Sequence, residues 1–197
     1  MNQFQLYFTI GWQHIANWQA IDHWLFLAAL CLKYPLSEWK KMLVLITAFT
    51  IGHSITLALS TLQLLVISTN WIEFLIPCTI LFTAIGNLWA PAVSYKSSKR
   101  NSGRFWYAVA LVFGCVHGLG FSNYLKSMLG KEQQIFVELL SFNLGIEIAQ
   151  IALLALFSLM QYYMAKYINL KSRDVKLVLG GAIAALAIQM MATRWPL

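Results

Sequence analysis

Seven side chains in this sequence combine metal-ligand chemistry with apolar surroundings: His14, Asp22, His23, His53, Glu73, His117 and Glu147. Imidazole suits Zn, Cu, Ni and Fe, and a carboxylate adds charge compensation, so together they form a donor set for a divalent cation. A borderline divalent ion is the one expected. Asn143 and Gln150 offer neutral support, because with Glu147 they recur at i, i+4 and i+7 and share one helical face. A second chemistry draws on the same groups. Three histidines and an aspartate can hold a zinc-activated water for hydrolysis, with Asp22 as general base and Ser54 as an oxyanion or substrate contact. The third reading is structural. A single buried histidine serves helix packing as readily as chemistry, and Ser or Thr stripes commonly bond back to their own helix. Four histidines with two deep carboxylates weigh against packing alone.

The elements that must position these groups follow from composition. The chain has 197 residues, 59% apolar or aromatic and only 11% charged, with a mean hydropathy of +0.65. A soluble domain carries about a quarter charged residues, so the sequence excludes a soluble enzyme and indicates an integral membrane protein. At about 20 residues per span, the length leaves no room for a separate soluble domain. The three cysteines form no C-x-x-C pair, and their odd number argues against a disulfide framework. Hydropathy predicts an all-α fold: a polytopic membrane helix bundle of six transmembrane helices in one domain, 1–197. The spans fall near 18–33, 42–67, 73–95, 105–125, 134–165 and 175–194. The first is the least clean, since it reaches full length only by taking in Asp22 and His23. Met1–Gly11 lacks the basic start and cleavage site of a signal peptide.

Charge sets the orientation. Eleven of the 14 basic residues fall between spans 1 and 2, 3 and 4, or 5 and 6, and Lys126, Lys131 and Arg194 fall on the other side. The positive-inside rule puts the larger set in the cytoplasm and both termini outside. The formal charge of +7 is therefore topology, and no nucleic-acid partner is expected. The location is the inner (cytoplasmic) membrane, multi-pass. Counting in from the basic end for His53 and His117, and from the outer end for Glu147, places all three near mid-depth. Asp22, His23 and Glu73 lie further out, His14 lies just outside span 1, and Glu138 is an interfacial, solvated residue. The ionisable groups occupy the outer half, and Gly114, Gly118 and Gly120 around His117 form a small-residue surface for close helix approach.

The blocks that carry these residues resemble the HupE/UreJ family. They are Gly11-Trp-Gln-His14 with Asp22-His23-Trp-Leu-Phe, Thr47-Ala-Phe-Thr-Ile-Gly-His53-Ser, Glu73-Phe-Leu-Ile-Pro, His117-Gly-Leu-Gly-Phe and Phe142-Asn-Leu-Gly-Ile-Glu147-Ile-Ala-Gln150. The resemblance implies a six-span membrane protein of nickel or cobalt uptake, a permease whose first-helix His and Asp-His motif serves the metal. His14, Asp22 and His23 correspond to that motif, and Glu73 and Glu147 to later acidic positions. Here seven residues separate His14 from Asp22 and Ala20 precedes Asp22, where better-known members have five residues and a glycine. No G-x-x-x-x-G-K-[ST] motif is present, so transport would be passive, ion-coupled or driven by a partner. The expected partners are the metal ion as substrate, the lipid bilayer, and a second copy or an accessory metal-handling protein.

Overall fold

The computed structural model describes residues 2–34, 36–89, 102–128, 135–167 and 172–196. The ends of the predicted spans at 90–95 and 134, and Lys96, Lys99, Arg100, Lys131 and Lys171, lie outside the described residues. The described residues are helical, without strands: α1 (Gln3–Ala16), α2 (Ile21–Lys33), α3 (Trp39–Thr61), α4 (Thr69–Trp89), α5 (Ser102–Met128), α6 (Ile135–Tyr167) and α7 (Ser172–Thr193), with one 3-10 turn at Leu36–Glu38. Five of them, α3 to α7, include segments long and apolar enough to cross a membrane.

The N-terminal region departs from the expectation. Where a full span at 18–33 was predicted, the short helix α2 stands, and a helix that the sequence did not predict, α1, precedes it. α1 starts on a capping box: the Asn2 side chain accepts from the Phe4 N–H, and the Gln5 side chain accepts from the Asn2 N–H. Asn17 then ends it. The Asn17 Oδ1 accepts from the Gln19 N–H at 3.0 Å, a local bond of the kind that favours turns over helix, and α2 begins at Ile21. With 13 residues, α2 is about 20 Å long at 1.5 Å per residue, short of a hydrocarbon core about 30 Å thick. It is apolar nearly all round, and a helix of that kind belongs in an interior. The fold puts it there, against α4, α6 and α7, with Leu25–Leu27 and Ala29–Leu32 buried.

Three helix pairs form the rest: α3 with α5, α1 with α6, and α4 with α7. Glycines set the first two. A Cβ on Gly52 would strike the Leu111 carbonyl, one on Gly114 the Phe49 carbonyl, and one on Gly118 the His53 carbonyl. Thr56 Oγ1 donates to the Cys115 carbonyl at 2.8 Å and Ser60 bonds Ser122 at 2.9 Å, so α3 and α5 run parallel with backbones touching. Gly11 meets the Phe142 carbonyl and Gly145 meets the Phe8 carbonyl across α1 and α6 in the same way. This is the small-residue packing that apolar solvents favour, where close backbone contact replaces a hydrophobic driving force.

α3 stops at a Schellman-type cap built without glycine. Gln63 takes φ 60°, Leu64 N–H donates to Leu59 O, and Gln63 N–H donates to Ser60 O. The span expected to reach Ile67 therefore ends at Thr61. In α4, Pro77 lies inside the helix and cannot donate to the Glu73 carbonyl one turn back. Glu138 is corrected most clearly. It is fully buried, because α1 covers it and Gln3 Nε2 donates to its Oε1 at 2.7 Å.

Candidate functional site

The break between α1 and α2 brings His14, in the last turn of α1, against His23, in the first turn of α2. Their ring centroids are 4.7 Å apart. Trp24 Nε1 donates to the Ile15 carbonyl at 3.1 Å and fastens the two helix ends together. The α3–α5 seam supplies the other two imidazoles. His14 lies 6.1 Å from His53, and His23 lies 5.3 Å from His117. Four rings from four helices thus form a row, His53–His14–His23–His117. Phenylalanines wall it: Phe121 lies 4.0 Å from the His14 ring, Phe49 5.0 Å from His117, and Phe142 stacks on Phe121.

Hydrogen bonding leaves this row largely open. His117 Nδ1 is 2.9 Å from the Phe113 carbonyl, which fixes the ring. His14 Nε2, both nitrogens of His23 and His117 Nε2 are buried without a hydrogen-bond partner, and His53 has only the Asn143 side chain as a hydrogen-bonding neighbour. Native interiors hold few such groups, and each one needs a reason. Unpartnered imidazole nitrogens gathered in one place are what an incoming cation can use. In their present rotamers the donors form a row and not a cage. Among the described residues, no three of His, Cys, Asp and Glu converge into a group able to hold one ion.

A cavity of about 270 Å³ opens beside the row, lined by His14, Asp22, His23, Glu73, His117 and Arg194 among others. Five of the seven ligands expected from the sequence therefore share one wall, and His53 adjoins it through His14. Asp22 accepts from Arg194 Nη1 at 3.1 Å through Oδ2, while its Oδ1 is buried and unpartnered. His14, expected just outside the first span, is half-buried, with its Nε2 turned in from solvent.

Glu147 does not line the cavity. Its carboxylate accepts from Thr47 Oγ1 at 2.8 Å, and Thr47 is exposed. Gln150 accepts from Thr50 at 3.0 Å in a buried pair below the histidines. Asn143 Nδ2 donates to Leu139 O of its own helix, and its side chain stands beside His53. The Ser54 hydroxyl donates to the Thr50 carbonyl at 2.7 Å, a bond within its own helix. Arg194 is the site residue that sequence reasoning missed. It counted as an exterior charge, and no local signal announces an ion pair with a residue 172 positions earlier.

A family model described as HupE / UreJ protein matches residues 1–197, the whole chain. No curated protein and no solved structure matches.

Proposed function

Since this chain belongs to the HupE/UreJ family, we propose that it is a permease for a divalent cation of the nickel/cobalt type. The observation that carries the reading is the row of four imidazoles, three with unpartnered nitrogens, beside a cavity that Asp22 and Glu73 also line. Neutral imidazole and ionised carboxylate are the metal-binding forms, and borderline ions such as Ni²⁺, Co²⁺ and Zn²⁺ suit this mixture. His14, Asp22, His23 and His117 form the proposed ligand set, with Glu73 at the entrance and His53 next along the row. An arriving ion would draw the rings from a row into a shell, and the non-helical residues between α1 and α2 give His14 and His23 the freedom to turn. Glu147 is proposed as a separate, later contact on the ion's path, reached only after the ion leaves the cavity and passes His53.

The same proposal covers topology. α1 and α2, joined through the Trp24–Ile15 bond, act as a single interrupted crossing, which with α3 to α7 gives six and sets both termini outside under the positive-inside rule. Interrupted helices are a recurrent way to offer polar groups at membrane depth. The cavity then opens outward, and the inner membrane is the proposed location.

Ni²⁺ uptake into proteoliposomes tests the reading, with Co²⁺ and Zn²⁺ as competitors. Uptake above protein-free vesicles, abolished in a His23→Ala/His117→Ala double variant, is the expected result. Equal uptake by the double variant contradicts it.

A further inference from the structure

Arg194 lies just past α7, yet it lines the cavity with both of the cavity's carboxylates. Two contacts hold it there. Its N–H donates to the Met190 carbonyl at 3.0 Å, extending the last turn. The next residue, Trp195, packs edge-on against Phe74 at 5.1 Å, which ties the segment to α4 beside Glu73. The guanidinium bonds one oxygen of Asp22 and leaves the other facing a buried, unpartnered space. Glu73, in the same cavity, has no ion pair among the described residues.

Resting on the metal reading above, we propose that Arg194 is the cavity's resident counter-cation: it neutralises Asp22 while no ion is bound and passes to Glu73 when a divalent cation takes Asp22. The physical reasons are three. A guanidinium stays charged at any physiological pH, so it cannot yield by losing a proton and has to move. The Asp22 side chain is only 19% exposed, and a carboxylate so largely withdrawn from water gains from a compensating charge. A divalent ion and a guanidinium sharing one cavity repel each other through a medium less polar than water. Glu73 gives the displaced arginine a second carboxylate, so that neither charge is stranded. The outcome is a site whose affinity is held down by its own competitor, as permeation requires when an ion must leave as readily as it enters.

Isothermal titration of Ni²⁺ into the purified full-length protein in lipid nanodiscs tests this. Arg194→Gln is expected to bind Ni²⁺ at least tenfold more tightly than the parent, and Arg194→Lys, which keeps the charge, within threefold of it. Glu73→Gln, which removes the landing place, is expected to bind at least fivefold more weakly, with the loss recovered in Glu73→Gln/Arg194→Gln. Arg194→Met keeps the apolar stem and replaces the glutamine variant should that one not fold. Unchanged or weaker binding in the charge-removed variant overturns the counter-cation role, as it would if Arg194 merely oriented Asp22. Failure of the parent to bind Ni²⁺ contradicts the metal reading itself, whereas binding by the parent with no gain in the variant contradicts this inference alone.

Discussion

At the scale of single residues, His23 stands apart from its neighbours. Neither of its ring nitrogens has a partner, it is buried, and it contacts both His14 and His117. A ring so placed gains nothing from its polarity until something binds it. His23→Ala and His117→Ala should each weaken Ni²⁺ binding by at least the about 10- to 100-fold typical of losing even an outer-shell partner. Glu147→Gln should change it less than twofold, because Glu147 is engaged with Thr47 away from the cavity. Titration of the three variants checks this, and equal losses in all three would place Glu147 in the shell. The histidines and Asp22 were legible in the sequence because an apolar run makes each ionisable residue conspicuous. Two things were not legible. Nothing local tells on which side of its helix Glu147 faces, since a polar stripe fixes a face and not that face's neighbour. Nor does local sequence reveal that Glu138, at the end of a long apolar run, is sealed by Gln3 from the other end of the chain.

At the scale of elements, glycine decides how the imidazoles meet. The α3–α5 seam leaves no room for a methyl group at Gly114 or Gly118, which face the backbone atoms of Phe49 and His53. Gly114→Ala should force these helices apart and cost about 1–3 kcal/mol, the usual range for overpacking. Gly181→Ala, with nothing within 4 Å of its added methyl, should be neutral or stabilise by about 0.5–1 kcal/mol, the helical preference for Ala over Gly. Thermal unfolding in one detergent compares the two, and a neutral Gly114→Ala would mean that the α3–α5 seam has room for a methyl group. The glycines near His117 were readable as a close-packing surface, but their partner helix was not. α1 is the element that the sequence reading passed over. Its signals were present: the Asn2-x-x-Gln5 capping box and the buried Tyr7, Gly11 and Ile15 at four-residue steps. They were obscured because the segment is too short to span and was weighed only as a signal peptide.

At the scale of the molecule, the apolar exterior of α3 to α7 fits a bilayer, while the most buried helix, α2, is the one too short to cross it. Hydropathy finds runs that lipid accepts, and it cannot separate a lipid-facing helix from an equally apolar one enclosed by others. That is why five helices long and apolar enough to cross a membrane stand near their predicted places, whereas the first predicted span holds a helix too short for it. If α1 and α2 make one interrupted crossing, single cysteines at Gln3 and at Pro196, introduced into a cysteine-free background, should both react with an impermeant maleimide added outside intact cells. A cysteine at Lys40 should react only after lysis. Labelling of Lys40 but not Gln3 from outside would invert the bundle.

The central claim is that imidazoles from separate helices close on one cation. X-ray absorption at the nickel edge of the Ni²⁺-loaded protein tests it most directly. Outer-shell scattering of at least two imidazole rings together with oxygen ligands is expected, with the imidazole signal reduced in His14→Ala and again in His14→Ala/His23→Ala. An all-oxygen spectrum, or one unchanged by those substitutions, would contradict it.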